Sequence, residues 1–275
     1  MCPHCRAFIT TSDRVCPYCD TPVGPRATDV RNPGAILGGF IPHARFATSM
    51  ILLVNIGLFA ATLLLSMKRG NGDALMNIDI RTLAQFGAKW GEAIALGQWW
   101  RLVTAGFLHG GLLHILMNSW VLFDLGAQVE EIYGAPRMVV LYLVSTIAGF
   151  GLSTLLSASI SVGASAGIFG LIGAMIALGV RHRAHPAGSA IRGLYVRWAI
   201  YGLLLGFLPG FHIDNAAHIG GLAAGFAVAY LAGTPKLADT LMERFWRVAA
   251  YASVVLIAFC FLKMYLWFMA TRTAF

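Results

Sequence analysis

The sequence predicts an all-α, multi-span membrane protein preceded by a small cysteine-rich module. Three observations carry this: an apolar balance, long uncharged runs from residue 46 onward, and two C-x-x-C pairs near the start. Of 275 residues, 58% are hydrophobic and 12% charged, far from the usual composition of a soluble globular domain. The apolar runs reach the roughly 17–25 residues that cross a hydrocarbon core about 30 Å thick. Spans are expected at about 46–67, 112–130, 138–157, 165–180, 195–210, 215–232 and 249–270, all helical because lipid offers the backbone no hydrogen-bond partners.

The first run follows a polar, Pro-containing stretch and lacks the charged start and short apolar core of a cleavable signal, so it is expected to be a retained anchor. The net charge of +8 invites a nucleic-acid reading, but in a membrane chain Lys and Arg are first counted by side. With the N-terminus in the cytoplasm, Arg6, Arg14, Arg26, Arg31, Arg45, Arg137, Arg181, Arg183, Arg192, Arg197, Lys236, Arg244 and Arg247 all fall inside. Lys68, Arg69, Arg81, Lys89 and Arg101 lie on the long first external loop, with Arg272 at the end, and Lys263 snorkels from the last span. The charge therefore reads as topology, and no nucleic acid is expected. With no organelle-targeting segment before the cysteines, a plasma membrane with a cytoplasmic N-terminus is expected.

Cys2-Pro3-His4-Cys5 and Cys16-Pro17-Tyr18-Cys19 suit one tetrahedral four-cysteine zinc site, and a reducing cytosol disfavours the disulfide or redox alternative. So short a segment buries little, so the metal would supply most of its folding energy. The organisation expected is a zinc-ribbon-like module at 1–20, a linker at 21–45, a membrane core at 46–232, and a connecting loop with a seventh span at 233–275. Cys260, alone in an apolar run, reads as a packing residue. Trp90, Trp99 and Trp100 stand where aromatics favour the membrane interface.

Polar groups inside a bilayer are costly, so His114, Asn118, Ser165 and His218 attract a functional reading. Ser165 lies in Gly163-Ala164-Ser165-Ala166-Gly167 at the start of the fourth span. A lone membrane serine is ordinarily a packing residue; as a nucleophile it needs a base within about 3 Å. The stretch also fits the G-x-S-x-G elbow of soluble hydrolases, but that motif requires a strand-turn-helix setting. His218 lies in Ala217-His218-Ile219-Gly220-Gly221-Leu222-Ala223-Ala224-Gly225, where Gly221 and Gly225 permit close helix approach. His114 and Asn118, one turn apart, point the same way and suit either oxyanion hydrogen bonds or an interhelical polar contact. His109 is read as structural and Asp214 as a helix N-cap, leaving a dyad without an acidic third member.

Together these residues resemble the rhomboid proteases over about residues 46–232. The resemblance rests on Trp100-Arg101, His109, the His114 to Asn118 spacing, Glu130 with Gly134, G-A-S-A-G and A-H-I-G-G-L-A-A-G, in that order along the chain. It implies a six-helix catalytic core, here with one additional C-terminal helix, and a short fourth helix that starts below the outer surface in a water-filled cavity. Ser165 would attack and His218 shuttle the proton, while His114, Asn118 and the Ser165 backbone N–H hold the oxyanion. Phe169 would pack against the histidine. Substrates would be single-span membrane proteins in the lipid bilayer, cut near a destabilised helix with small residues at the scissile bond, without a catalytic cofactor. Ala166, where the family commonly has Gly, departs from the pattern; the seventh helix and the cysteine module lie outside it. Two other readings are a non-catalytic rhomboid-like protein that escorts membrane helices, and a metal protein using His109, His114 and His218, which no H-E-x-x-H motif supports. The substrate and oligomeric state are not legible.

Overall fold

The computed structural model describes residues 2, 4, 5, 7, 15–23, 45–208, 213–235 and 240–271. Among these every long element is helical, and the only β-type pairings are the isolated contacts Val15–Pro22 and Lys89–Ser161. Most of the expected linker at 21–45, along with Arg6, Arg14, Lys236 and Arg272, lies outside the described residues. The helices are α1 (Phe46–Lys68), short α2 (Ile80–Gln85), α3 (Gly91–Ala95) and α4 (Arg101–Thr104), then α5 (Leu112–Val121), α6 (Ala127–Leu156), α7 (Ser165–Arg181), α8 (Pro186–Leu205), α9 (Asn215–Ala232) and α10 (Leu241–Thr271).

All seven expected spans are helical, with shifted limits. By length and apolarity four continuous helices suffice to cross a membrane, one of them Leu112–Leu156. That one divides into two helices across a kink at Gly134, whose φ of 78° breaks the helix; left-handed backbone of this kind favours glycine. Each of its two arms has about the length that a span needs. The turn is therefore a single residue rather than the loop expected between 130 and 138. Pro136 follows at once, in the first turn of the returning arm, where its missing N–H costs nothing. Helix α8 starts earlier than expected because Pro186 occupies its first turn. Helix α10 begins at Leu241 rather than near 249.

Helix α1 inverts the soluble pattern. Its buried face carries Thr48, Asn55, Thr62 and Ser66 alongside Ile51 and Phe59, whereas Leu53, Ile56 and Leu64 point outward. With lipid outside, apolar groups gain nothing from being inside, and polar ones gain hydrogen bonds there. The start of α1 has no local cap. Glu130 replaces one, accepting from the backbone N–H of Ala47 and Thr48, each at 2.9 Å, and from the Thr48 hydroxyl at 2.8 Å. A carboxylate on the positive end of a helix is favourable both as acceptor and as charge.

Helix α10 is pinned at both ends. Near its start Glu243 forms a two-pronged ion pair with Arg137 of α6, both bonds 2.8 Å, and Arg137 also lies over the Trp246 ring. Near its other end Phe268 meets Phe86, Phe259 stacks on Trp99, and Arg101 lies over Trp267 at 5.6 Å. Helix α10 thus walls in the loop between α1 and α5. Within that loop Trp100 and Arg101 are buried, so Trp100 is a core residue and not an interface anchor. The Arg101 guanidinium donates to the carbonyls of Ala84 and Ala88, and burial lowers its pKa to about 10. Cys260 is buried, as a packing residue should be.

Removing one partner of a buried, paired charge leaves the other stranded, at a cost of about 3–5 kcal/mol, whereas removing both costs far less. Arg137→Met is therefore expected to lower stability by about 3 kcal/mol and the Arg137→Met/Glu243→Met pair to recover most of it. Reversible unfolding in mixed detergent micelles measures both; equal losses in single and double variants would contradict the assignment.

Candidate active site

Ser165 is the first residue of α7, and no side chain caps that helix. Its backbone N–H is among the first four of the helix, which have no partner within it. The residue before the entry turn, Gly163, holds φ at 138° and donates its N–H to the Ala105 carbonyl. A methyl group on Gly163 would lie 2.7 Å from His114 Nε2 and 3.3 Å from Ser165 Oγ. The imidazole and the hydroxyl thus flank the same point. This glycine is required twice, by its backbone angle and by the ring beside it.

His114, near the start of α5, accepts at Nδ1 from the Gly110 N–H at 3.4 Å. An imidazole nitrogen that accepts leaves the proton on the other, so Nε2–H faces the Ser165 side. One turn further, Asn118 is buried and its Nδ2 has no hydrogen-bond partner among the described residues. The buried His109 sits edge-on against the His114 ring at 5.1 Å.

His218 comes to the site through the packing of α9 on α7. A Cβ added to Gly221 would lie 2.1 Å from the Ala166 carbonyl oxygen, one on Gly225 2.0 Å from that of Gly170, and one on Gly173 2.2 Å from that of Leu222. Backbone therefore meets backbone over three turns. Ala166 faces Gly221 and Gly170 faces Gly225, so the helices run parallel in register, with Ser165 and His218 at the same end. The His218 ring stacks on Phe169, one turn after Ser165, with centroids 4.0 Å apart and planes 13° apart. Gly202 of α8 makes room behind Phe169. Asp214 accepts from the Ala217 N–H at 3.0 Å, as an N-cap does, and also from the Ser153 hydroxyl. The departure at Ala166 is absorbed by Gly149 of α6, beside which its methyl packs.

Ser165 and His114 thus flank one point beside Gly163, Asn118 follows His114 by one turn of α5, and His218 lies on Phe169, one turn after Ser165. Two features were not read from the sequence. The pairing of Gly149 with Ala166 has no local signal. Lys89, taken for an external loop charge, is fully buried; burial lowers its pKa, and Asp214 opposes that shift.

With this geometry in hand, residues 96–235 match the family model for the Rhomboid domain. The chain belongs to the rhomboid family. It is 40% identical to rhomboid protease GluP of Bacillus subtilis over 155 residues, 56% of this chain and 30% of that protein. It is 38% identical over 170 residues to RHOMBOID-like protein 7 of Arabidopsis thaliana, 60% of this chain and 53% of that one, and 37% identical over 149 residues to RHOMBOID-like protein 4, at 48% and 34%. The match thus spans about a third to a half of the length of these rhomboid relatives.

At the other end of the chain, the sulfur atoms of Cys2, Cys5, Cys16 and Cys19 all lie within 4.8 Å of one another. Cys2 and Cys19, and Cys5 and Cys16, are each 3.6 Å apart. Four thiolates about 2.3 Å from a tetrahedral zinc would be separated by about 3.8 Å, so the donor set fits such an ion. The two knuckles are built alike: the Cys2 N–H donates to the Ala7 carbonyl and the Cys16 N–H to that of Thr21, both at 2.9 Å.

The seam between α7 and α9 tolerates no side chain at Gly221. Gly221→Val is expected to slow phosphonylation of the rhomboid by a fluorophosphonate by about 100-fold, since an ångström of misplacement has that effect. Gly57→Ala, where a Cβ meets nothing within 4 Å, should leave the rate unchanged. Equal rates in both variants would mean that α9 does not set the reacting geometry.

Proposed function

We propose that this rhomboid is an intramembrane serine endopeptidase acting through a Ser165–His218 dyad. The observation that carries the proposal is the stacking of His218 on Phe169 one turn from Ser165, at the end of a seam that leaves no room for a third side chain. A ring held flat on an aromatic face cannot swing about its Cα–Cβ axis, so stacking does what an orienting carboxylate does elsewhere.

In the proposed reaction His218 takes the proton of Ser165 as Oγ bonds to the scissile carbonyl carbon. The resulting oxyanion receives hydrogen bonds from the Ser165 N–H, His114 Nε2–H and Asn118 Nδ2–H. Collapse breaks the C–N bond, the amine leaves with the proton held on His218, and water then releases the acyl group by the same steps in reverse. The stacking on Phe169 takes the place of an orienting acid, and Asp214 is engaged instead as a cap by Ala217 and by Ser153. The substrates are single-span membrane proteins cleaved in or beside their helix, reached from the lipid bilayer.

The orientation proposed places the chain in the plasma membrane with its N-terminus in the cytoplasm and the site toward the other side. The support is the placing of Arg137, Arg181 and Arg183 at the helix ends remote from Ser165, with Arg192 following in the first half of α8. Zinc is assigned to Cys2, Cys5, Cys16 and Cys19, where it would fold the module and take no part in peptide hydrolysis.

Two measurements check these assignments. Purified protein in lipid should cut a single-span model substrate; Ser165→Ala and His218→Ala should abolish cutting, and Asn118→Ala should lower kcat by about 100–1,000-fold, the usual cost of one oxyanion donor. Wild-type protein that binds such helices without cutting them would favour the escort reading instead. Elemental analysis should find one zinc per chain, lost on chelation together with resistance of the N-terminal segment to protease, while cutting continues. Cutting that stops on chelation would overturn the separation of the two sites.

A further inference from the structure

Lys89 is a basic residue with no part in the proposed chemistry, yet none of its surface is exposed. Burying an ammonium is costly unless its protons find acceptors. Its Nζ donates to the Ser157 carbonyl at 2.7 Å and to that of Ser159 at 2.9 Å. Ser157 is the residue that ends α6, so the positive charge sits at a helix C-terminus, where carbonyls lack partners and the dipole is negative. The Lys89 backbone adds two more bonds to the same segment: its N–H donates to the Ser161 carbonyl at 2.9 Å, and its carbonyl accepts the Ser161 N–H at 3.0 Å. Two residues on, the Gly163 N–H donates to Ala105. Residues 157–163 are the sole connection from α6 to Ser165, and they carry no regular structure of their own beyond these contacts.

The other side of Lys89 is equally fixed. Arg101 holds the carbonyls of Ala84 and Ala88 at 2.7 and 3.0 Å, and Trp267 of α10 covers Arg101. The external loop is thus a rigid mount, and Lys89 is the point at which it grips the segment entering α7.

We infer that Lys89 is a positioning residue for Ser165: its ammonium and backbone clamp residues 157–161 and so set the register in which Gly163 and Ser165 meet His114. This rests on the protease reading for its catalytic consequence, but the clamp itself is independent of that reading. A loose segment would leave the substrate site intact while blurring the approach of Oγ to the carbonyl. The effect therefore falls on kcat and not on KM.

The test uses the full chain in lipid, comparing wild type, Lys89→Met, Lys89→Gln and, as a charge control, Arg81→Met, whose side chain is exposed. Lys89→Met should lower kcat and the rate of phosphonylation by a fluorophosphonate by about 100-fold with KM changed less than about twofold. Hydrogen exchange over residues 157–164 should quicken at least about tenfold, while α6 and α9 keep their protection. Lys89→Gln, which retains one donor group, should fall between, and Arg81→Met should match wild type. Unchanged exchange at 157–164 in Lys89→Met would overturn the clamp. Faster exchange with unchanged kcat would overturn its role in catalysis, and global loss of structure in both Lys89 variants would show a folding residue instead. Wild type that neither labels nor cuts sinks the protease reading alone, since the exchange comparison still decides the clamp.

Discussion

Everything in this rhomboid's site depends on how closely α7 and α9 approach. Gly173, Gly221 and Gly225 bring the two backbones into direct contact, and such contact is how helices associate where lipid removes the hydrophobic drive. A seam made of backbone has one register, because the small residues fit only opposite one another. It fixes Ser165 and His218 at the same depth without any hydrogen bond between helices having to do so. Phe169 then fixes the angle of the histidine ring, and Gly202 gives Phe169 its place.

The remaining polar groups are arranged around that seam with the same economy. Glu130 serves as the missing cap of α1, Asp214 caps α9 while holding Ser153, and Tyr142 donates from α6 to the Gly106 carbonyl at 2.9 Å. Each satisfies a backbone group at a break between helices, where the cost of leaving it bare in a water-poor setting is highest. The loop between α1 and α5, together with α10, adds a second frame outside the core. It is held by aromatic contacts and by Arg101, with the Arg137–Glu243 pair anchoring the opposite end of α10.

Much of this was legible in the sequence because membrane spans write themselves as uninterrupted apolar runs, and intramembrane polar residues stand out against them. Ser165, His218, His114 and Asn118 stand out as candidates for that reason, and Asp214 was legible as the cap that it is. The four cysteines were legible from spacing alone. Less could be read where tertiary contact decides. Trp100 looks like an interface aromatic until Arg101 is seen beneath it, and Lys89 looks like any loop lysine, since nothing local reports that the end of α6 comes to meet it. The one-residue turn at Gly134 was hidden because a single positive φ leaves no compositional trace beyond the glycine itself.

The most direct test is to map the adduct formed when the intact protein reacts with a fluorophosphonate. A single modification on Ser165, absent from His218→Ala, is what the convergence of α7 and α9 predicts. Modification at another residue, or labelling of Ser165 that persists without His218, would show that the seam does not bring a nucleophile and its base together.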